Sequence, residues 1–125
     1  MTVALDHTIV WAEDKAASAS FLARVLGLEV GEPDGPFLPI ALGNGVTLDV
    51  ADAAGPVASQ HYAFAVDDAG FDAAFDRLRA LGVPYWADPF HRRPDQVHQH
   101  GDARGVYFAD PAGHNMELLT TGGRR

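Results

Sequence analysis

The sequence predicts an α+β fold built from two copies of one unit: a strand, a helix and a small antiparallel sheet with the helix on one face. Three observations predict it. Segments repeat, since His7 and His61, like Phe21 and Phe75, stand 54 residues apart. Two hairpin signals, Gly43-Asn44-Gly45 and Asp110-Pro111-Ala112-Gly113, sit between alternating apolar runs. Each half is too short to cover its own sheet edge, so the halves are expected to pair side by side as a cup.

In the first half, ALDHTIVWA at 4–12 reads as a strand rich in β-branched and aromatic residues, with Leu5, His7, Ile9 and Trp11 on one face. Asp14 is placed to cap KAASASFLARVLG, whose apolar stripe is Phe21, Leu22, Val25 and Leu26, and Gly27 stops it. LPIAL and VTLDV then flank the first hairpin signal. Without a strand-to-helix context or a following lysine, its glycines make a turn and not a phosphate loop. Residues 51–59, ADAAGPVAS, form a small-residue linker.

The pattern begins again at HYAFAV, 61–66, with Tyr62, Phe64 and Val66 towards the helix and His61, Ala63 and Ala65 on the opposite face. DDAGFDAAFDRLRALG follows as a capped helix with Phe71, Phe75 and Leu78 inward and Gly82 at its end. The polar stretch 86–104, WADPFHRRPDQVHQHGDAR, holds three of the six histidines and is expected to be a lid over a site. In the last pair, GVYFADPAGHNMELLT, a turn from Asp110 to His114 sets Tyr107 across from Glu117, with Val106, Phe108, Met116 and Leu118 on the core face. Matching the two hairpins at a spacing of 70 residues sets Gly43 and Thr47 against Gly113 and Glu117. His114 reads as a turn residue.

The 125 residues fit a single domain, with modules at about 4–51 and about 60–120. Nine Lys and Arg against 17 Asp and Glu leave a formal charge of −8, so no basic field exists to hold a phosphate backbone, and nucleic acid is not an expected partner. The absence of cysteine excludes disulfide frameworks, thiolate metal sites and cysteine nucleophiles. No basic leader or span-length apolar run occurs, so a cytoplasmic protein without membrane contact is expected.

His7 and His61 hold repeat-equivalent strand positions, and Glu117 lies on the last strand beside Tyr107. Two neutral imidazoles and one carboxylate suit a divalent metal ion, with Fe, Mn, Zn and Ni all compatible, and they leave coordination positions open as catalysis requires.

The duplicated unit, LDHTIV near the start, HYAFAV in the middle and the Tyr-Phe-x-Asp-Pro-x-Gly-His-x-x-Glu run from Tyr107 to Glu117 together resemble the vicinal oxygen chelate superfamily. That superfamily includes glyoxalases, extradiol ring-cleaving dioxygenases, fosfomycin-modifying enzymes and bleomycin-binding proteins. The resemblance implies two paired βαβββ modules forming a cup-shaped mixed sheet with helices on the outer face. It carries metal-ligand roles onto His7, His61 and Glu117, and a substrate contact onto Tyr107. Short members are commonly dimers, which implies a homodimer with two shared sites, each taking His7 from one subunit and His61 with Glu117 from the other.

Departures from the family pattern narrow the reaction. Glyoxalases and related epimerases usually place another ligand on the last strand of the first module, where Thr47 stands, or Asp49 if the register shifts by two. The fosfomycin thiol transferases use extra cationic and hydroxyl groups, whereas Lys15 is the only lysine here and Ile9 stands where a hydroxyl is expected. What remains is dioxygenase-like, extradiol-type chemistry, or a related lyase or isomerase reaction, on a small substrate with neighbouring oxygens. The metal would chelate both oxygens as a Lewis acid, and further catalytic histidines are sought in His98 or His100. Arg92, Arg93 and Arg104 are placed to add positive charge. The competing reading is a drug-sequestering, bleomycin-resistance-type binder with Trp11, Phe37, Trp86 and Phe90 lining an apolar groove; a complete metal triad favours the enzyme.

Overall fold

The computed structural model describes residues 1–121, which fall into two compact units, Met1–Val57 and the part from Ala58 onwards. Each unit is α+β, a mixed sheet with one helix, as predicted. Among the described residues no helix is long and apolar enough to cross a membrane.

The first unit contains β1 (His7–Ala12), α1 (Lys15–Leu26), β2 (Leu38–Ala41) and β3 (Thr47–Asp52). Strand β3 lies in the middle, parallel to β1 and antiparallel to β2. The Asp14 carboxylate accepts from Ala16 N and Ala17 N, and Gly27 closes the helix at φ 69°. The buried face of α1 is Ser18, Ala19, Leu22, Ala23 and Val25, while Phe21 and Leu26 are only half-buried. This rotates the expected stripe, because small side chains at 18, 19 and 23 let the helix backbone approach the sheet closely. Only two strands follow α1 where the resemblance implies three. Gly31 N reaches Pro39 O at 2.8 Å and Asp34 bridges Phe37, but Pro33 and Pro36 lack the N–H groups that would extend this into a ladder.

The second unit is a full βαβββ module: β4 (His61–Ala65), α2 (Asp68–Ala80), β5 (His98–His100), β6 (Ala103–Ala109) and β7 (Asn115–Leu119), with sheet order β4-β7-β6-β5. Strand β4 is parallel to β7, and the other pairs are antiparallel. Asp67 caps α2 through Gly70 N at 2.7 Å. Phe71 and Leu78 from α2 and Val106, Phe108, Met116 and Leu118 from the sheet are fully buried, so the core face of β6 and β7 is the expected one.

The turn between β6 and β7 is built on one carboxylate. Asp110 Oδ1 accepts from His114 N at 2.7 Å and from Ala112 N at 3.1 Å, while Asp110 N donates to His114 O at 3.1 Å. His114 is wholly buried, its Nδ1 accepts from Gln60 N at 3.0 Å, and Ser59 Oγ donates to Gly113 O at 2.8 Å. The turn therefore also holds the chain that enters β4, and His114 is structural.

The same turn recurs in the first unit from Leu42 to Val46. Leu42 N donates to Val46 O, Gly45 N donates to Leu42 O, and Gly45 has φ 87° against 88° at Gly113. Gly45, not Gly43, is thus the counterpart of Gly113, because only it occupies the left-handed region at that step. The strand registers agree: His7 pairs with Thr47 and Ile9 with Asp49, while His61 pairs with Asn115 and Ala63 with Glu117. Asp49, and not Thr47, therefore holds in the first sheet the position that Glu117 holds in the second.

Asp110→Ala is expected to lower stability by about 1–3 kcal/mol, since it strands the buried His114 N–H. Urea denaturation followed by fluorescence checks this, and an unchanged midpoint would show that the carboxylate does not hold the turn.

Candidate functional site

The candidate face of the second unit comes from strand alternation. With Met116 and Leu118 in the core, Asn115, Glu117 and Leu119 face the other way, and Glu117 lies directly across from Tyr107, as the sequence predicts. On the neighbouring strand His61 reaches the same place: its Nε2 lies 3.1 Å from Glu117 Oε1, and its ring is stacked against Tyr107 with centroids 6.0 Å apart. The structure thus brings His61, Tyr107 and Glu117 together.

His61 Nδ1 lies 3.0 Å from the Asn115 carbonyl oxygen. A carbonyl only accepts, so Nδ1 carries the hydrogen, and in the neutral ring Nε2 presents a lone pair to a carboxylate oxygen. Two acceptors face one another there, an arrangement that is favourable only with a proton or a cation at hand. The donor set fits a divalent ion, with Nδ1 anchored by a carbonyl in the way metal-ligating histidines usually are. Within each unit, among the described residues, no group of three His, Asp or Glu side chains gathers into a complete metal cluster. The Tyr107 hydroxyl is pushed above its ordinary pKa by burial first, then by the charge and hydrogen bond of Glu117 and the charge of Asp88, so it remains a proton donor at neutral pH.

Beside this group opens a cavity of about 510 Å³. His98 and His100 from β5 line it together with Tyr107, Glu117 and Leu119, so the structure brings both histidines to the same opening. Gly105 also lines it, at a φ any residue can adopt, so the glycine serves space and not backbone geometry. A Cβ there would stand 3.7 Å from Glu117 Oε2 and 4.0 Å from His98 Cβ, and a longer side chain would fill the gap between them.

The stretch 86–104 is more ordered than a plain lid. Its end is the β5–β6 hairpin, turning at Gly101 with φ 59°. Its start adds a bridge to the free edge of β6: Trp86 N donates to Tyr107 O at 2.9 Å and Tyr107 N to Trp86 O at 2.8 Å. Between them, the Asp88 carboxylate accepts from Phe90 N, Arg92 N and Arg93 N. Burial pushes Asp88 upward, but the three backbone donors and the Arg93 charge outweigh it and hold the carboxyl below its usual range.

The sequence pattern of the Glyoxalase/Bleomycin resistance protein/Dioxygenase superfamily matches residues 4–118. The chain belongs to that superfamily. It is similar to the solved structure of Oxidase ChaP-H2, at 55% identity over 96% of this chain and 94% of the other, with a TM-score of 0.93. Oxidase ChaP-H1 is 50% identical over 95% and 96% of the two chains, with a TM-score of 0.92. The curated Fosfomycin resistance protein FosX of Mesorhizobium japonicum is 37% identical over 60 residues, which are 48% of this chain and 38% of that protein. The match thus spans well under half the length of that curated relative.

The remaining predicted residues are spread over the two units. His7 is exposed on β1 in the first unit, and its Nδ1 lies 2.8 Å from Asp6 Oδ2; that hydrogen bond and, more weakly, the charges of Asp6 and Asp49 hold its pKa above the usual value. Thr47 and Asp49 are both half-buried on the His7 face of the sheet. Arg104 lines the cavity but is already paired with two carboxylates. Its guanidinium bonds Asp72 at 2.7 Å and Asp68 at 3.1 Å and lies over the Phe71 ring, which ties β6 to α2. Arg92 sits 5.5 Å from the exposed Phe90 ring. Of the aromatic residues predicted to line a groove, Trp86 stacks on His91, and Trp11 and Phe37 belong to the first unit. Sequence reasoning missed Asp88, His91, Gly105 and Asn115. Only Gly105 carried a signal, a glycine inside an otherwise regular strand.

Because the folded pKa of Asp88 is depressed, its support for the 88–93 loop is complete above the ordinary carboxylate range and is lost as pH falls through the lowered value. Limited proteolysis within 88–97 is expected to stay slow at neutral pH and accelerate only in that acidic window, whereas Asp88→Ala is expected to be nicked at every pH. Equal cleavage of both proteins at pH 7 would show that the carboxylate does not order the loop.

Proposed function

We propose that the chain is a divalent-metal-dependent oxidase or dioxygenase-like enzyme acting on a small substrate with neighbouring oxygens. The observation that carries the reading is the confrontation of His61 Nε2 with Glu117 beside Tyr107 at the mouth of a cavity. The superfamily's typical metal dependence supports the cofactor. Likeness to two chains described as oxidases supports oxidative chemistry over the lyase or isomerase alternative. His61 and Glu117, with His7 of the first module, are the proposed ligands, and Asp49 is the residue to examine as a further one.

A divalent ion held by His61, Glu117 and His7 would supply Lewis acidity to the bound substrate. The chain's own residues do the rest. The Asn115 carbonyl keeps His61 in the tautomer that frees Nε2. Glu117, with a side chain only 17% exposed, offers a carboxylate that water screens little. Tyr107 keeps its proton and donates from Oη to a substrate oxygen, stabilising the charge that develops there. His98 and His100, which line the cavity, are the proposed acceptors of the hydroxyl protons of an entering substrate, and the missing side chain at Gly105 leaves room for its ring or chain.

Elemental analysis of the purified protein is the primary test. His61→Ala, Glu117→Ala and His7→Ala are each expected to lose the ion, and retention by all three would overturn the ligand assignment. We further propose a homodimer whose sites take His7 from one subunit and the other two ligands from its partner. Mixing His7→Ala with Glu117→Ala under verified subunit exchange should then restore part of the metal content, whereas sites formed within single chains would restore none.

Tyr107→Phe is expected to leave metal content unchanged and to slow turnover by roughly one to two orders of magnitude. Dioxygen uptake with a panel of ortho-dihydroxy aromatic compounds provides the readout. Metal-loaded protein that binds such compounds without consuming dioxygen would point instead to sequestration.

A further inference from the structure

His91 lies outside the predicted site, yet its surroundings lead back to it. Its backbone is left-handed at φ 57°, a conformation that disfavours a side chain unless the side chain is held. Here it is held on two sides. The imidazole lies flat on the Trp86 indole, with centroids 3.9 Å apart and planes 2° from parallel. Its Nε2 lies 2.9 Å from Asn115 Oδ1. Asn115 Nδ2 donates to Pro89 O at 3.1 Å, which fixes the amide orientation, so Oδ1 accepts and His91 Nε2 carries the hydrogen.

Asn115 is the first residue of β7, and both its side chain and its backbone are engaged. The side chain is clamped by the 89–91 loop, the backbone N–H donates to Gln60 O at 2.9 Å, and the carbonyl oxygen receives His61 Nδ1 at 3.0 Å. The Trp86 that carries the stack is bonded through its own backbone to Tyr107 in both directions. One buckle in the loop thus reaches both side chains that flank Glu117.

We infer that His91 is a positioning residue for His61: stacked on Trp86 and bonded to the Asn115 amide, it fixes the carbonyl that sets the ring orientation and tautomer of His61. The importance of that tautomer for metal binding rests on the functional reading above; the positioning itself does not. Outer partners of metal-ligating histidines typically contribute 10- to 100-fold in affinity, so a comparable loss is expected when this buckle is opened.

The decisive measurement is made on metal-free protein labelled with ¹⁵N-histidine and carrying Glu117→Ala, so that no carboxylate competes for the hydrogen at Nε2, at a pH where the rings are neutral; the metal measurement below keeps Glu117. Long-range ¹⁵N–¹H correlations then report which His61 nitrogen carries the hydrogen. With His91 intact, the Nδ1–H form is expected. His91→Gly, which suits the left-handed backbone and removes the ring, is expected to give a mixture of tautomers, and His91→Asn, which also tolerates that backbone and retains an amide donor, an intermediate result. Asn115→Ala serves as a second variant if His91→Gly folds poorly, since it removes the amide bridge and leaves the Trp86 stack. An unchanged Nδ1–H population in both His91→Gly and Asn115→Ala would overturn the inference. Chelator competition with Mn(II) is the second readout, with the 10- to 100-fold weakening expected in His91→Gly and complete loss in His61→Ala. If His61→Ala retains Mn(II), the metal assignment falls, and the tautomer measurement still decides the role of His91.

Discussion

The site depends on the Asp110 carboxylate, buried in the turn between β6 and β7 and occupied by the N–H groups of Ala112 and His114. A tight turn fixes hairpin register, and a slip of one residue would exchange the two faces of each strand. With the register held, Phe108 and Met116 stay in the core and Tyr107 and Glu117 face each other on the opposite side. The same turn reaches β4 through Gln60 N on His114 and Ser59 on Gly113, so the strand that bears His61 is aligned by the same group. The placement of His61, Tyr107 and Glu117 on one face thus depends on buried polar bonds at one end of the sheet.

The two units show how a duplicated fold diverges while its frame persists. Each has a strand parallel to the last strand of its sheet, and each closes its last hairpin with a glycine near φ 87–88°. What differs lies beyond the frame. Pro33 and Pro36 deny the first unit a third strand after its helix, while the second unit gains β5, the Trp86 bridge and the Asp88-centred loop. Opposite the carboxylate position stands Pro39 in the first sheet and Tyr107 in the second. Proline offers no hydroxyl, so only the second unit places a proton donor across from its carboxylate.

Electrostatics within the second unit separate structural from chemical charge. Arg104 is committed to Asp68 and Asp72, a pairing whose exposed partners contribute little stability individually but whose position over Phe71 covers apolar surface. Asp88 is committed to backbone donors. Among the described residues, the side chains recorded against Glu117 are His61 and Tyr107, and no Lys or Arg is paired with it.

The sequence by itself determined the local structure and the facing of the strand residues at the site. Period-two alternation separated Tyr107 and Glu117 from the core, Asp14 and Gly27 bounded the first helix, and Asn44-Gly45 and Pro111 to Gly113 marked the turns, because capping, turn chemistry and apolar periodicity are properties of neighbouring residues. The family was legible too, since its most specific run lies within one hairpin. Only the tertiary structure decided that Asp49, not Thr47, answers to Glu117, since sequence matching counted residues across the turn while hydrogen bonding aligns φ. It likewise decided that Arg104 is locked and that His91 reaches Asn115. Those contacts join residues distant in sequence through a loop with no periodicity, and nothing local to the chain specifies them.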